Sequence, residues 1–221
     1  MSDSLADLAR WWARATDSSQ PSPIVAAATI AVTDDSSTDG ASLVSALPSE
    51  TDLIVLTTDH VPADVVPPAV CAVVTVGDAA SVTSKHYDSD GKLDHDAWMK
   101  TCVAIRDCMA QLRSDDQSLL EAISAAGDDR LTTCVSILLA AATHELPVLI
   151  DGPGPAAALL VATQEADNAV SMCRPLQQGM SPTERETWIH LGLEPVLAVS
   201  TGRTDGRLSA TAVELINCSL R

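Results

Sequence analysis

The 221-residue chain has no phenylalanine, one tyrosine and four tryptophans, so aromatic residues make up 2% of it. That scarcity removes the stacking platforms on which single-stranded nucleic acids are held, and it leaves a core of aliphatic side chains. Cations are scarce too. Thirteen Lys and Arg stand against 30 Asp and Glu, a formal net charge of -17. A surface of that sign repels a nucleic-acid backbone and an anionic lipid surface, so neither is expected as a partner. The longest apolar stretches, such as Ile24–Val32 and Ala156–Ala162, fall short of a bilayer span, so no transmembrane helix is expected. The N-terminus, MSDSLADLARWWARAT, lacks the basic-then-apolar layout of a secretory signal, which points to a cytoplasmic location.

Several chemical signatures are also missing. The five histidines form no HExxH, and the chain has no GxSxG elbow, no GxxxxGK[ST] and no GxGxxG. The six cysteines (Cys71, Cys102, Cys108, Cys134, Cys173, Cys218) are scattered over a chain long enough to fold without staples, and read as buried free thiols. Cys102 and Cys108 have no second pair at ligand spacing, so no metal site is expected.

What is present is a rhythm. Leu5, Leu8, Trp12 and Ala15 repeat at helical spacing, with Ser4 available as a cap, in an N-terminal helix within residues 1–20. Apolar, β-branched runs at Ile24–Thr33, Asp52–Thr58, Leu146–Ile150 and Val196–Ser200 read as strands, the first of them buried; Ala69–Val76 fits either a helix or a strand. Residues 78–92 are polar and read as a mobile loop. Trp98, Cys102, Ile105, Met109 and Leu112 then mark a helix of about five turns. Helices follow at Leu119–Ala125 and Leu131–Thr143, after Pro155, from about Ser181, and at the C-terminus; Ala169–Cys173 is a short apolar stretch.

Strand, loop and helix in repetition predict one α/β domain over residues 1–221. Its expected form is a parallel, Rossmann-like sheet in three layers with helices on both faces. Ligands of such sheets sit past the carboxyl ends of the strands. That selects four loops: Asp34–Gly40, Asp59–Pro68, Asp151–Pro155 and Thr201–Arg207. Each carries an aspartate near a strand end: Asp34 and Asp35, Asp59, Asp151, and Asp205. Carboxylates gathered there suit a general base, a ribose-hydroxyl acceptor or a metal ligand, although aspartate also favours turns and helix caps. Gly152, Gly154 and Gly206 lie just before helix N-termini, where free N–H groups attract phosphate. His60 follows Asp59 at a strand end and joins the candidates, whereas His144 and His190 fall in helical contexts.

The runs HELPVLIDGPGPAAALLVA (144–162) and PLQQGMSPTERETWIHLGLEPVLAVSTGRTDG (175–206) resemble the nicotinate-nucleotide:dimethylbenzimidazole phosphoribosyltransferases of cobalamin assembly. A GLPVLLDGF-like strand and turn, an alanine-rich helix, an L-x-x-EP segment and a GEGSG-like loop carry the likeness. Counted without gaps from Glu194-Pro195, the catalytic glutamate of that loop falls on Asp205, one methylene shorter. SAAGDDRLTTCVSILLAAA (124–142) is similar to the family's GG-D helix pair, and DLIVLTTDHVPADVVPP to its GELGMANTT-like loop, with Asp59 on the glutamate. There Val61 replaces a glycine and Asp64 an asparagine. Asp64 sets negative charge near a phosphate position, an unfavourable pairing unless a cation intervenes. Between the first two strands only a short polar connection stands where the family has much of its base pocket.

The resemblance implies transfer of a 5-phosphoribosyl group from nicotinate mononucleotide to a benzimidazole-type base. Asp205 would be the base, and Asp59, His60, Asp151, Gly152, Gly154 and Gly206 the substrate-binding set. No metal or organic cofactor is implied, and a homodimer is. Two alternatives remain: a relative that keeps the fold but works as a binding or partner protein, and an unrelated nucleotide-binding α/β domain.

Overall fold

A computed structural model describes residues 2–33, 39–59, 64–113, 117–201 and 206–221. In chain order they form α1 (Ser2–Ala15), β1 (Ala27–Val32), α2 (Gly40–Ser45), β2 (Leu53–Thr58), α3 (Val66–Val74), α4 (Ala79–Val82), α5 (His95–Leu112), α6 (Leu119–Ala125), α7 (Asp129–Thr143), β3 (Val148–Asp151), α8 (Pro153–Glu165), α9 (Ala169–Met172), β4 (Cys173–Pro175), α10 (Pro182–Leu191) and α11 (Ser209–Ser219).

The four strands are parallel in the order β1-β2-β3-β4. Right-handed crossovers repeated in one direction place their connecting helices on one face of a sheet. Alternate strand residues confirm two faces. Ile54, Leu56, Val148 and Ile150 join a core with residues of α2, α3, α5, α7 and α8, whereas Leu53, Val55 and Leu149 pack with Leu8, Trp11 and Trp12 of α1 and Ala212 and Ile216 of α11. The chain termini therefore cover the second face, and the architecture is the expected three-layer α/β sandwich. Among the described strands the order never reverses, so the sheet has no topological switch point. The carboxyl edge is shaped by what crosses it.

All residues of β2 and β3 are buried, which is why they read as unbroken apolar runs. β1, expected to be buried, is an edge strand with only Ile30 and Val32 inside. In α8 every residue from Gly154 to Ala162 is buried, as expected of a helix apolar on all sides.

Several details settle or differ from the sequence reading. The ambiguous run at Ala69–Val76 is largely helix, because Pro67 and Pro68 start α3 in a first turn where a missing N–H costs nothing. Val196–Ser200 is not a strand; Val196 N–H donates to Pro175 O (2.9 Å) and Leu197 N–H to Leu176 O (3.1 Å), extending the edge past β4. Ser4 falls inside α1 and not ahead of it, and Trp11 joins the buried stripe. Cys218 is exposed, while the other five thiols are buried. Residues 78–92 hold α4 and a turn closed by Asp88 N–H to Lys92 O (2.8 Å) and Asp94 N–H to His86 O (2.9 Å).

Candidate active site

Asp151 is the last residue of β3 and only 2% exposed. A carboxylate so placed is costly unless its oxygens are bonded. Gln177 Nε2 donates to Oδ1 (2.7 Å) and Gly206 N–H to Oδ2 (3.0 Å). Gln177 is itself buried, and its Oε1 accepts from Thr201 N–H (3.0 Å) and Thr201 Oγ1 (3.1 Å). The Asp151 carboxylate thus holds Gly206 directly and Thr201 through the Gln177 amide, so the end of β3 reaches both described ends of the 201–206 loop. Gly206 has φ +69°, and a Cβ there would lie 3.2 Å from Thr29 Cγ2 and 3.6 Å from Val55 Cγ1. A glycine lets the chain cross this close over β1 and β2.

The turn after Asp151 requires its glycine. Gly152 has φ +107° and ψ 170°, a region open essentially to glycine alone. It caps α8, whose first turn holds Pro153, Gly154 and Pro155. Two prolines in three positions leave Gly154 as the one N–H donor among them, so this helix start offers an anion little beyond Gly152 and Gly154.

The loop after β2 is held by charge. Arg130, near the start of α7, approaches Asp59 Oδ1 (3.1 Å), Asp64 Oδ2 (3.5 Å) and Asp128 Oδ1 (3.8 Å). Asp128 also caps α7, accepting from Leu131 N–H (3.0 Å). Arg130 thus sets a cation beside Asp64. On the same edge, Glu184 and Ser181 form a capping box at the start of α10. Burial pushes the Glu184 carboxyl above its ordinary value; bonds from Ser181 oppose that, and the charge of Asp151 adds to it.

The structure therefore places Asp151, Gly152, Gly154 and Gly206 around the end of β3, and Asp59 at the end of β2, paired with Arg130. Asp34, Asp35, His60, Val61 and Asp205 lie outside the described residues. Sequence reasoning missed the roles of Gln177 and Arg130. Gln177 hides in a stretch with no strand signal, while Arg130 was legible as a lone cation after the two acids Asp128 and Asp129. Among the described residues, no group of three or more His, Cys, Asp or Glu is placed to hold a metal ion, and no helix is long and apolar enough to cross a membrane.

A parallel three-layer domain with a carboxylate-anchored loop at its strand ends defines a class, and comparison supplies the family. Residues 23–221 match the model of a phosphoribosyltransferase family, and the chain belongs to it. It is 30% identical over 162 residues to the nicotinate-nucleotide--dimethylbenzimidazole phosphoribosyltransferase of Streptomyces avermitilis, a match covering 72% of this chain and 42% of the relative. With the enzyme of the same name from Desulforudis audaxviator it shares 27% identity over 148 residues, 67% of this chain and 41% of that one. The matched segments thus span less than half of these relatives. The crystal structure of CobT from Thermus thermophilus superposes with a TM-score of 0.76 at 14% identity, covering 98% of this chain and 89% of that one. That likeness establishes the fold.

Proposed function

We propose that the chain is a phosphoribosyltransferase that moves the 5-phosphoribosyl group of nicotinate mononucleotide to a benzimidazole-type base, a step in assembling the nucleotide loop of cobalamin. The observation that carries the reading is the buried Asp151–Gln177 pair, which holds the ends of the 201–206 loop at the carboxyl edge of a sheet belonging to this family. In the reaction a ring nitrogen of the base bonds to C1′ of the ribose as the C1′–nicotinate bond breaks. The proton on the attacking nitrogen passes to Asp205, and nicotinate leaves.

In this reading Asp59, His60, Gly152 and Gly154 bind the nucleotide, while Gly206, whose N–H is taken by Asp151, contributes by setting its end of the loop. Arg130 offsets the charges of Asp59 and Asp64 near the phosphate. A small misplacement of a catalytic group costs on the order of a hundredfold, so an aspartate base one methylene short depends on a firmly held loop. The scheme calls for no metal or organic cofactor, and the working form is a cytoplasmic homodimer.

Calorimetric titration with nicotinate mononucleotide, followed by dimethylbenzimidazole and assay of free nicotinate, tests the reading. Binding followed by release is expected. Asp205→Asn should keep the binding and lose the release, because its amide cannot accept the proton. No binding at millimolar nucleotide overturns the proposal in favour of a binding or partner protein. Unchanged turnover in Asp205→Asn removes Asp205 as the base.

A further inference from the structure

We propose that Gln177 is a positioning residue that sets the two ends of the 201–206 loop as one unit, acting through Asp151. The inference rests on the transferase reading for its purpose and goes beyond it in assigning this side chain a role.

Its geometry is a relay of three bonded links. Thr201 N–H and Oγ1 donate to Gln177 Oε1, Gln177 Nε2 donates to Asp151 Oδ1, and Gly206 N–H donates to Asp151 Oδ2. Both central residues are buried, at 4% and 2% exposure, so water is kept from the two links to Asp151, while the link to Thr201 is part-buried. An amide fits the middle place at neutral pH: it donates and accepts at once, whereas an ionised carboxylate accepts only and an aliphatic chain does neither. It also adds no second charge beside the Asp151 carboxylate. The backbone on either side is fixed, by Leu176 N–H to Ile150 O (2.8 Å) and by Gln178 N–H to Val199 O (2.9 Å). The far end is confined where Gly206 passes Thr29 and Val55. Asp205 immediately precedes Gly206 in the chain, so the relay ends one residue from the proposed base.

Amide hydrogen exchange on the full chain tests the coupling without requiring turnover. In Gln177→Ala, protection of both Thr201 and Gly206 should fall by roughly tenfold or more, while Leu149 and Ile150 in β3 stay protected and report that the protein remains folded. Gly206 makes no bond to Gln177, so its loss is the signature of the relay; unchanged Gly206 protection overturns the proposal. Gln177→Glu supplies a second arm. At neutral pH it sets two carboxylates at hydrogen-bond distance and should free the loop, and at lower pH a shared proton restores a donor and the protection returns. Gly206 protection independent of pH in that variant also overturns it. If the wild type releases nicotinate, Gln177→Ala should lower kcat on the order of a hundredfold with a smaller change in KM; an unchanged kcat with a freed loop refutes the positioning role. A wild type that releases no nicotinate refutes the transferase reading instead, and the exchange data decide the relay alone.

Discussion

The loop that follows β2 and the loop that ends at Gly206 leave the same edge of the sheet, yet they are tied down by different means. The first is gathered by one guanidinium among three carboxylates, and the side chains of Asp59 and Asp64 are 47% and 23% exposed. The second is held by a neutral amide and a single carboxylate, both buried. Counting charges would rank the first as the stronger tie. Water reverses the ranking, because ion pairs at a surface are screened while a buried acceptor that loses its donor has no substitute.

The largest expected effect is at the buried tie. Asp151→Ala leaves Gln177 Nε2 and Gly206 N–H without their acceptor in a site closed to water, and should cost about 3 kcal/mol of unfolding free energy. Urea denaturation reads this as a lower midpoint at unchanged slope. A loss under about 1 kcal/mol would mean that water or a neighbouring group replaces the carboxylate, and the comparison between the loops would break.

A third contact separates charge from burial. Arg174, whose side chain is 8% exposed, meets Asp7 Oδ2 at 2.6 Å and lies 5.9 Å from the centre of the Trp11 ring. The hydrogen bond from Arg174 holds the Asp7 carboxyl below its ordinary value of 3.8. A carboxylate lowered in the folded state stabilises fully above its unfolded value, and that contribution is lost as pH falls through the lowered one. Asp7 is one-third exposed, so screening trims the effect, and Asp7→Asn should cost about 1 to 2 kcal/mol at pH 6. The gap between wild type and variant should close below pH 3.8. A gap that persists there would show that shape, not charge, is what Asp7 contributes.

The same contrast explains what was legible in the sequence. Strands β2 and β3 and helices α5, α7 and α10 announce themselves through local pattern, and the Ser181–Glu184 capping box is readable letter by letter. The sheet's carboxyl edge followed from them, and with it Asp59, Asp151 and Gly206. β4 did not, because three residues that include Arg174 and Pro175 have no period of their own; Cys173–Pro175 is a strand because β3 lies alongside. Gln177 was invisible for the same reason. Its importance comes from residues 26 positions before and 24 positions after it, and no local rule registers that. Val196–Ser200 failed in the opposite sense, carrying strand composition but only a single bridge, Leu197 to Gln177.

The smallest effect belongs to the tie with the most charge. Arg130→Gln removes a guanidinium whose side chain is 16% exposed, but among the described residues it strands no carboxylate. Asp59 and Asp64 keep access to water, and Asp128 still accepts from Leu131 N–H. The expected cost is about 0.5 to 1 kcal/mol at low ionic strength. At 1 M salt, where the screening length is about 3 Å, the cost should vanish. Asp151→Ala measured in parallel should lose as much at high salt as at low, because its missing bonds were never exposed to ions. Two urea series at two salt concentrations give all four numbers. If Arg130→Gln still costs more than about 2 kcal/mol at 1 M salt, its carboxylates are shielded from solvent after all. The loop after β2 would then be held in the same manner as the loop before Gly206.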